Sequence, residues 1–266
     1  MNANSVSVVI PTIGRASLIN AIDSALNQTH PPEEVIVILN GNFDHKLVVE
    51  SLPSDERLII RKIEKVGVSA ARNAGIAMAK GDYIAFLDDD DEWNLEKTEI
   101  QLRKNTTSNA DIISCRAQYK GRVNSIKPRK ILKSEKILER IYSSQLPLAR
   151  KYAIPTPTVL VRTVLAKKFL FDESLSERED LWFFHVLQKN GARIIQIPDV
   201  LVTVSSRKLF GDRAIEVDDD LEWFSRLELV KKNLGWNFLF SVGLRNRIAG
   251  GKLFSAVKLF FLALKR

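Results

Sequence analysis

Lys80-Gly-Asp-Tyr-Ile-Ala-Phe-Leu-Asp-Asp-Asp-Asp-Glu-Trp93 holds a short apolar run, Tyr83–Leu87, that ends in four carboxylates without a break. The run reads as a buried strand. Four adjacent negative charges repel one another, so something must offset them. A divalent cation does so directly, because hard Mg²⁺ or Mn²⁺ takes oxygen ligands and shares its shell with substrate phosphates. Carboxylates at the carboxyl end of a strand also lie where α/β sheets bind ligands. The competing reading is a solvated acidic turn that caps a helix starting near Asn94. Position after a buried strand and before Trp93 favours a binding site. Asp218-Asp219-Asp220 serves as a control. No long apolar strand precedes it and Leu221-Glu-Trp-Phe224 begins a helix, so capping and dipole complementarity are expected there.

Outward from this stretch, short apolar runs alternate with helical patterns, the signature of a mostly parallel central sheet with flanking helices. Val6–Ile10, Val35–Leu39, Leu58–Lys62 and Asp111–Cys115 read as further strands. Ser17–Asn27 is predicted as a helix on Leu18, Ala21, Ile22, Ala25 and Leu26. Ser69–Lys80 is a second, with Ala70, Ala71, Ala74 and Ala77 as its inner face and Gly81 as a left-handed stop. Beyond Cys115 the pattern weakens. A helix is expected over Ser134–Ser143, a strand over Thr158–Arg162, a helix over Glu177–Asn190 closed by Gly191, and a strand over Arg193–Ile197. From Asp218 the chain reads as helical to its end, broken near Gly235 and Gly250-Gly251.

At 266 residues, 45% hydrophobic and 27% charged, a packed core is expected. One cysteine, Cys115, excludes an internal disulfide. The histidines His30, His45 and His185 are scattered, which argues against a zinc site. Met1–Ser5 is polar and the apolar run after it stops at Pro11, so neither a secretory signal nor a membrane span is expected and the expected location is cytoplasmic. The net charge of +8 is uneven: 231–266 carries +8 without an acid, 116–151 carries +9, and the remainder −9. Basic segments can meet nucleic acid, anionic membrane or phosphate-bearing substrates. Only Tyr119 and Tyr142 interleave the bases of 116–151, too few aromatics for a nucleic-acid platform, so no nucleic-acid partner is expected.

Taken together, three stretches resemble the inverting glycosyltransferase family 2, which has the GT-A fold. They are Val6-Ser-Val-Val-Ile-Pro-Thr-Ile-Gly-Arg15, Gly67-Val-Ser-Ala-Ala-Arg-Asn-Ala-Gly75 and the aspartate stretch. The resemblance covers 6–115 closely and 155–204 more loosely. It implies a nucleotide-sugar donor, probed by Asp88 near the ribose, with Asp90 as ligand of a Mn²⁺ or Mg²⁺ that Asp88 helps to hold. Asp89 takes the variable middle place and Asp91 lies behind. Pro11 and Thr12 fall where the family lines the nucleotide base, and Arg72 where it contacts base or phosphate. One departure stands at Ile38-Leu-Asn-Gly-Asn42, where relatives have two aspartates and a glycine. Asn40 replaces the base-binding acid, and its amide can still accept from and donate to a uracil or thymine edge.

Inversion needs a carboxylate to take a proton from the acceptor hydroxyl. Family members place it in a Glu-Asp pair opening a late helix, which Ser176-Glu-Arg-Glu-Asp-Leu-Trp-Phe183 matches. Ser176 and Glu179 have the spacing of a capping box, which would occupy Glu179 and leave Asp180 to face the cleft. Asp180 is therefore the expected base, with Glu179 as the alternative. Thr158 falls on the acceptor side and Trp182 reads as core. Arg207 and Lys208 stand near where many relatives place a diphosphate-binding histidine. The implied organisation is a catalytic domain over 1–206 (a donor half to 115 and an acceptor half after it) and a basic helical extension over 207–266. Leu253, Val257, Phe260, Phe261 and Leu264 would form one apolar stripe flanked by bases, suited either to the protein's own core or to the anionic inner face of a membrane. The implied activity is transfer of one sugar, from a UDP-sugar, to a lipid-linked glycan. A nucleotidyltransferase on a related fold would need more than Ile13-Gly14-Arg15 after its first strand.

Overall fold

The computed structural model describes residues 4–121, 124–132, 136–142, 153–205, 217–231, 233–243 and 253–264. Four strands, β1 (Val6–Thr12), β2 (Glu34–Leu39), β3 (Leu58–Lys62) and β4 (Tyr83–Phe86), pair in parallel in the order β3-β2-β1-β4. Alternate residues of these strands enter opposite cores. Val6, Val8, Ile10, Val35, Val37, Tyr83 and Ala85 pack on one face, and Val9, Ile36, Ile38, Ile84 and Phe86 on the other. Both faces of β1, β2 and β4 are covered, which is why these strands are mostly apolar, while the edge strand β3 is only partly buried and ends in Arg61-Lys62. Each valine, isoleucine or phenylalanine among these core residues, fully buried, contributes about 1.5–3 kcal/mol.

Beyond β4 the sheet is mixed. β8 (Leu160–Arg162) runs antiparallel to β4 and to β6 (Ile112–Lys120), which pairs in parallel with β9 (Ile194–Ser205). The short strands β5 (Glu92–Trp93) and β7 (Ser125–Lys127) add antiparallel to β9 and β6. β6 and β9 are longer than their apolar runs because the pairing resumes after bulges between Ser114 and Ala117. The extra residue there breaks the alternation that marks a strand in sequence.

Helix α1 (Leu18–Leu26) buries the five residues expected of it. After α2 (His45–Glu50), helix α3 (Val68–Met78) departs from expectation on its inner face. Ala77 is exposed, and Gly75 takes the contact instead: a Cβ there would stand 2.3 Å from Val9 Cγ1. Gly81 is not left-handed. It is needed because a Cβ would meet the Ser7 backbone nitrogen at 2.7 Å. Next come α4 (Lys97–Ser108), α5 (Ile137–Ile141), α6 (Thr163–Lys168) and α7 (Glu179–Lys189), the last closed by Gly191 at φ 92°. The expected strand from Thr158 starts two residues late, because Thr156-Pro-Thr158 forms a 3₁₀ turn with its proline in the first turn.

The described C-terminal part comprises α8 (Val217–Val230), α9 (Leu234–Phe238), a π turn over Leu239–Gly243 and α10 (Leu253–Ala263). The chain turns at Asn233, at φ 69°, rather than at Gly235, which lies inside α9. Trp223, Leu227, Leu234 and Phe238 share the core of the α3 and α7 face. The apolar residues of α10 divide into two faces rather than one stripe. Ala256, Leu259 and Ala263 are buried with Leu221 and Phe224 of α8, whereas Phe254, Val257, Phe261 and Leu264 are exposed. None of the described helices is long and apolar enough to cross a membrane.

Candidate active site

From β1 the chain winds one way to β2 and β3, and later the other way to β4. Such a reversal opens a crevice at the carboxyl ends of the two central strands. A cleft of about 1000 Å³ lies there, its floor made by Pro11, Thr12, Asp88, Asp89 and Asp90. One wall is Asn40 and 66–70, and the opposite wall is 173–176 with Glu179. Pro11, Thr12, Asn40, Arg72, Asp88, Asp89, Asp90 and Glu179, far apart in sequence, thus face one space.

The four aspartates are not equivalent. Asp88 Oδ1 accepts from Arg72 Nη2 at 3.0 Å. Asp89 is buried and accepts from Thr12 Oγ1 at 2.6 Å, from Ile13 N at 3.3 Å and from Arg15 Nη1. Asp90 lies 3.6 Å from the same Arg15 nitrogen. Asp91 is buried, and its Oδ1 accepts from Ser205 N at 3.0 Å. Desolvation, then the fields of Asp88, Asp90 and Asp89, push its carboxyl up to about 8, against a smaller opposing effect of the Ser205 amide. The excess negative charge is thus offset in part by two arginines, Arg15 and Arg72. Among the described residues no three acid, histidine or cysteine side chains close into a metal cage. Asp88 and Asp90 nonetheless give hard oxygen donors open to the cleft, and that donor set fits Mg²⁺ or Mn²⁺ with phosphate oxygens completing the shell.

Arg72 joins the two ends of the site. It is 3% exposed, inside α3, and its Nη1 donates to Glu179 Oε1 at 2.7 Å while Nη2 holds Asp88. Its guanidinium also lies 5.3 Å from the Phe171 ring centroid. The capping box does not form. Arg178, in left-handed conformation (φ 62°), is the residue before α7, and it turns Ser176 toward α8, where Ser176 Oγ donates to Asp219 Oδ1 at 2.6 Å. Glu179 is occupied by Arg72 instead. Arg178 Nη2 donates to Asp220 Oδ1 at 2.6 Å, so the second acidic run also ties α8 to the approach of α7.

Glu179 lines the cleft and Asp180, expected to face it, is not among the lining residues; Asp180 is half-buried and accepts from Thr156 Oγ1 at 3.0 Å and from Leu181 N at 2.7 Å. Burial first, and Glu179 second, raise its carboxyl to about 6, against the lowering effects of Arg72 and these two hydrogen bonds. Tyr119 of β6 is raised mainly by burial and further by Asp91, Asp180 and Asp88, which all act on its phenol. Thr158 is fully buried, with Oγ1 donating to Pro155 O at 2.6 Å, and Thr156, two residues earlier, is buried as well. Trp182 packs against Trp223 and under Arg226, in the core as expected. The Asn40 amide is engaged on both sides, donating to Lys65 O and accepting from Gly67 N at 2.9 Å. It pins the 65–67 wall of the cleft, which it also lines. Arg207 and Lys208 lie outside the described residues.

The profile of Glycosyl transferase family 2 matches residues 7–169, more than half of the chain. The chain belongs to glycosyltransferase family 2. It is 33% identical over 192 residues to an uncharacterized glycosyltransferase of Rickettsia felis, a match that covers 68% of this chain and 30% of that one. The amylovoran biosynthesis glycosyltransferase AmsB of Erwinia amylovora is 26% identical over 287 residues, covering 98% of this chain and 92% of its own. Among solved structures, S. aureus TarS 1-349 in complex with UDP-GlcNAc superposes with a TM-score of 0.66 at 20% identity, covering 97% of this chain and 72% of TarS 1-349. The fold is therefore GT-A, as the motifs implied. Against the family pattern, Arg15 is the residue that sequence reading passed over. Its signal was present: four adjacent acids need a cation, and Arg15 follows the Pro-Thr turn that reaches them.

Proposed function

We propose that the chain is an inverting glycosyltransferase that moves one sugar from a UDP-sugar to a glycan acceptor in cell-surface polysaccharide or lipopolysaccharide synthesis. The observation that carries this is Arg72. One guanidinium holds Asp88 on the donor floor and Glu179 beside Asp180, so donor site and candidate base share one rigid support. TarS, a structural neighbour, has been solved with UDP-GlcNAc, which supports a uridine-linked donor. AmsB and the putative teichuronic acid biosynthesis glycosyltransferase TuaG of Bacillus subtilis support a polysaccharide product.

In this reading the nucleotide lies along Pro11, Thr12 and the wall pinned by Asn40. A divalent cation, when bound, would be held by Asp88 and Asp90 and supplies Lewis-acid stabilisation of the leaving diphosphate. The acceptor hydroxyl oxygen attacks the anomeric carbon from the side opposite the diphosphate. Asp180 takes the hydroxyl proton, the carbon–oxygen bond to phosphate breaks, and UDP leaves with the bonding electrons. A base whose carboxyl titrates near 6 is ionised at neutral pH yet still a useful proton acceptor. Arg72 fixes Glu179 and, through the first turn of α7, the direction of Asp180.

The acceptor we propose is lipid-linked, with the exposed face of α10 resting on an anionic membrane. Phe254, Val257, Phe261 and Leu264 point away from α8, with Lys258 among them, and 231–266 has no acid to repel the surface. The decisive assay for the activity uses a panel of radiolabelled nucleotide-sugars with membrane lipid extract as acceptor and Mn²⁺. Transfer from one UDP-sugar, lowered about a thousandfold or more in Asp180→Asn, is expected. Wild-type transfer by Asp180→Asn would remove the proposed base.

A further inference from the structure

Behind the acceptor side lies a buried lysine that the proposed chemistry does not use. Lys97, in the first turn of α4, is fully buried and makes no ion pair among the described residues. A buried ammonium without a carboxylate is costly, so its few partners carry weight. Its Nζ donates to Gln101 Oε1 at 2.8 Å and stands 4.0 Å from the Trp93 ring centroid. Neighbouring Cys115 offers no anion, because burial pushes its thiol up to about 12. Burial likewise lowers Lys97, to about 8, which leaves it charged at neutral pH.

An ammonium can only donate, so it fixes the orientation of the Gln101 amide. Oε1 must face Lys97, and the two Nε2 hydrogens are then directed to Thr158 O at 2.8 Å and Ile113 O at 3.2 Å. From the other side Trp93 Nε1 donates to Pro157 O at 2.9 Å. Ser114 Oγ meets Thr158 Oγ1 at 2.8 Å. The Thr156–Thr158 turn is thereby held at two successive carbonyls and one hydroxyl. The free end of that turn is Thr156, whose Oγ1 donates to Asp180 Oδ2 at 3.0 Å.

We infer that Lys97 is a positioning residue: by orienting Gln101 it holds, with Trp93, the turn that presents the Thr156 hydroxyl to Asp180. The inference rests on the proposed role of Asp180 only for its consequence in catalysis. The groups that face Asp180 are Glu179 and the Leu181 amide on its own helix, Arg72 of α3, Thr156, and Tyr119 of β6. Lys97 is not among them, so it acts through the turn.

The test is a pH titration of ¹³C-labelled aspartate carboxyls in the full chain, with the Asp180 resonance assigned by its loss in Asp180→Asn. A hydrogen bond to the ionised form favours that form, so Thr156→Val should raise the midpoint by about one pH unit. Thr156→Ser should restore it. Lys97→Met and Gln101→Met, each checked for folding by UDP binding with Mn²⁺, should move it the same way by roughly half as much. An unmoved midpoint in Thr156→Val overturns the contact itself. Movement in Thr156→Val with none in Lys97→Met or Gln101→Met overturns the role of Lys97. The base reading fails separately: if the midpoints move as stated while Asp180→Asn transfers sugar at the wild-type rate, Asp180 is positioned as described but is not the base.

Discussion

Replacing Arg72 by methionine keeps most of the side-chain volume and removes its charge. What remains is Glu179, 12% exposed, and Asp88, 33% exposed, each without its cation. Removing one partner of a buried pair costs about 3–5 kcal/mol, chiefly because the other charge is stranded. The Glu179 arm, short and well covered, falls at about 3 kcal/mol on that scale. Asp88 is a third exposed and screened by water, which holds its share to about 1 kcal/mol or less. The expected loss is therefore about 3–4 kcal/mol. With an m-value of about 3 kcal/mol per molar for a chain of this size, the urea midpoint should fall by about 1 M without a change in slope. Arg72→Met with Glu179→Gln removes the stranded charge and should recover more than half of the loss. A midpoint lowered by less than about 0.3 M, or no recovery in the double variant, would refute the clamp.

Three further outcomes follow from the geometry. The Asp180 carboxyl is raised in the fold to about 6 from its usual 3.8, so its ionised form costs stability above pH 6, and that cost fades as pH falls from 6 toward 4. Asp180→Asn should accordingly stabilise the protein by about 2 kcal/mol at pH 7.5 and by almost nothing at pH 4, read from urea midpoints at both pH values. Gly75→Ala places a methyl 2.3 Å from Val9 Cγ1. Overpacking of about 1–3 kcal/mol then outweighs the gain in helix propensity, and Val9→Ala should relieve it; a raised Tm in the single variant would contradict the close approach. Phe254→Asp with Phe261→Asp should weaken cosedimentation with phosphatidylglycerol vesicles at low salt by about tenfold or more, and equal sedimentation would show that α10 is not the contact.

The chain up to Cys115 was legible because β1, β2 and β4 are buried on both faces. Val6–Ile10, interrupted only by Ser7, Val35–Leu39 and Tyr83–Leu87 announce themselves as apolar runs, and the aspartates follow where the last one ends. The mixed part of the sheet was harder because its strands carry the irregularities. The bulge beside Arg116 interrupts the alternation of β6, and the 3₁₀ turn delays β8. Side-chain partners were the least legible. Ser176 and Glu179 have capping-box spacing, yet a left-handed Arg178 and a buried arginine more than a hundred residues earlier claim them for other contacts. Gly81 looked like a helix stop because nothing local reveals that the Ser7 backbone passes beside it. The two backbone partners of Asn40, Lys65 and Gly67, come from another loop and were not visible in the sequence. In each case periodicity located the element, and a distant segment decided what the side chain does.

Calorimetric titration of UDP with Mn²⁺ into the wild type, Asp90→Ala and Asp180→Asn addresses the division of labour in the cleft directly. The proposed mechanism assigns donor floor and base to different residues, so the wild type and Asp180→Asn should bind UDP alike, and Asp90→Ala should lose about tenfold or more. Equal binding by Asp90→Ala, or no binding by the wild type, would contradict a metal-supported nucleotide site at the end of β4.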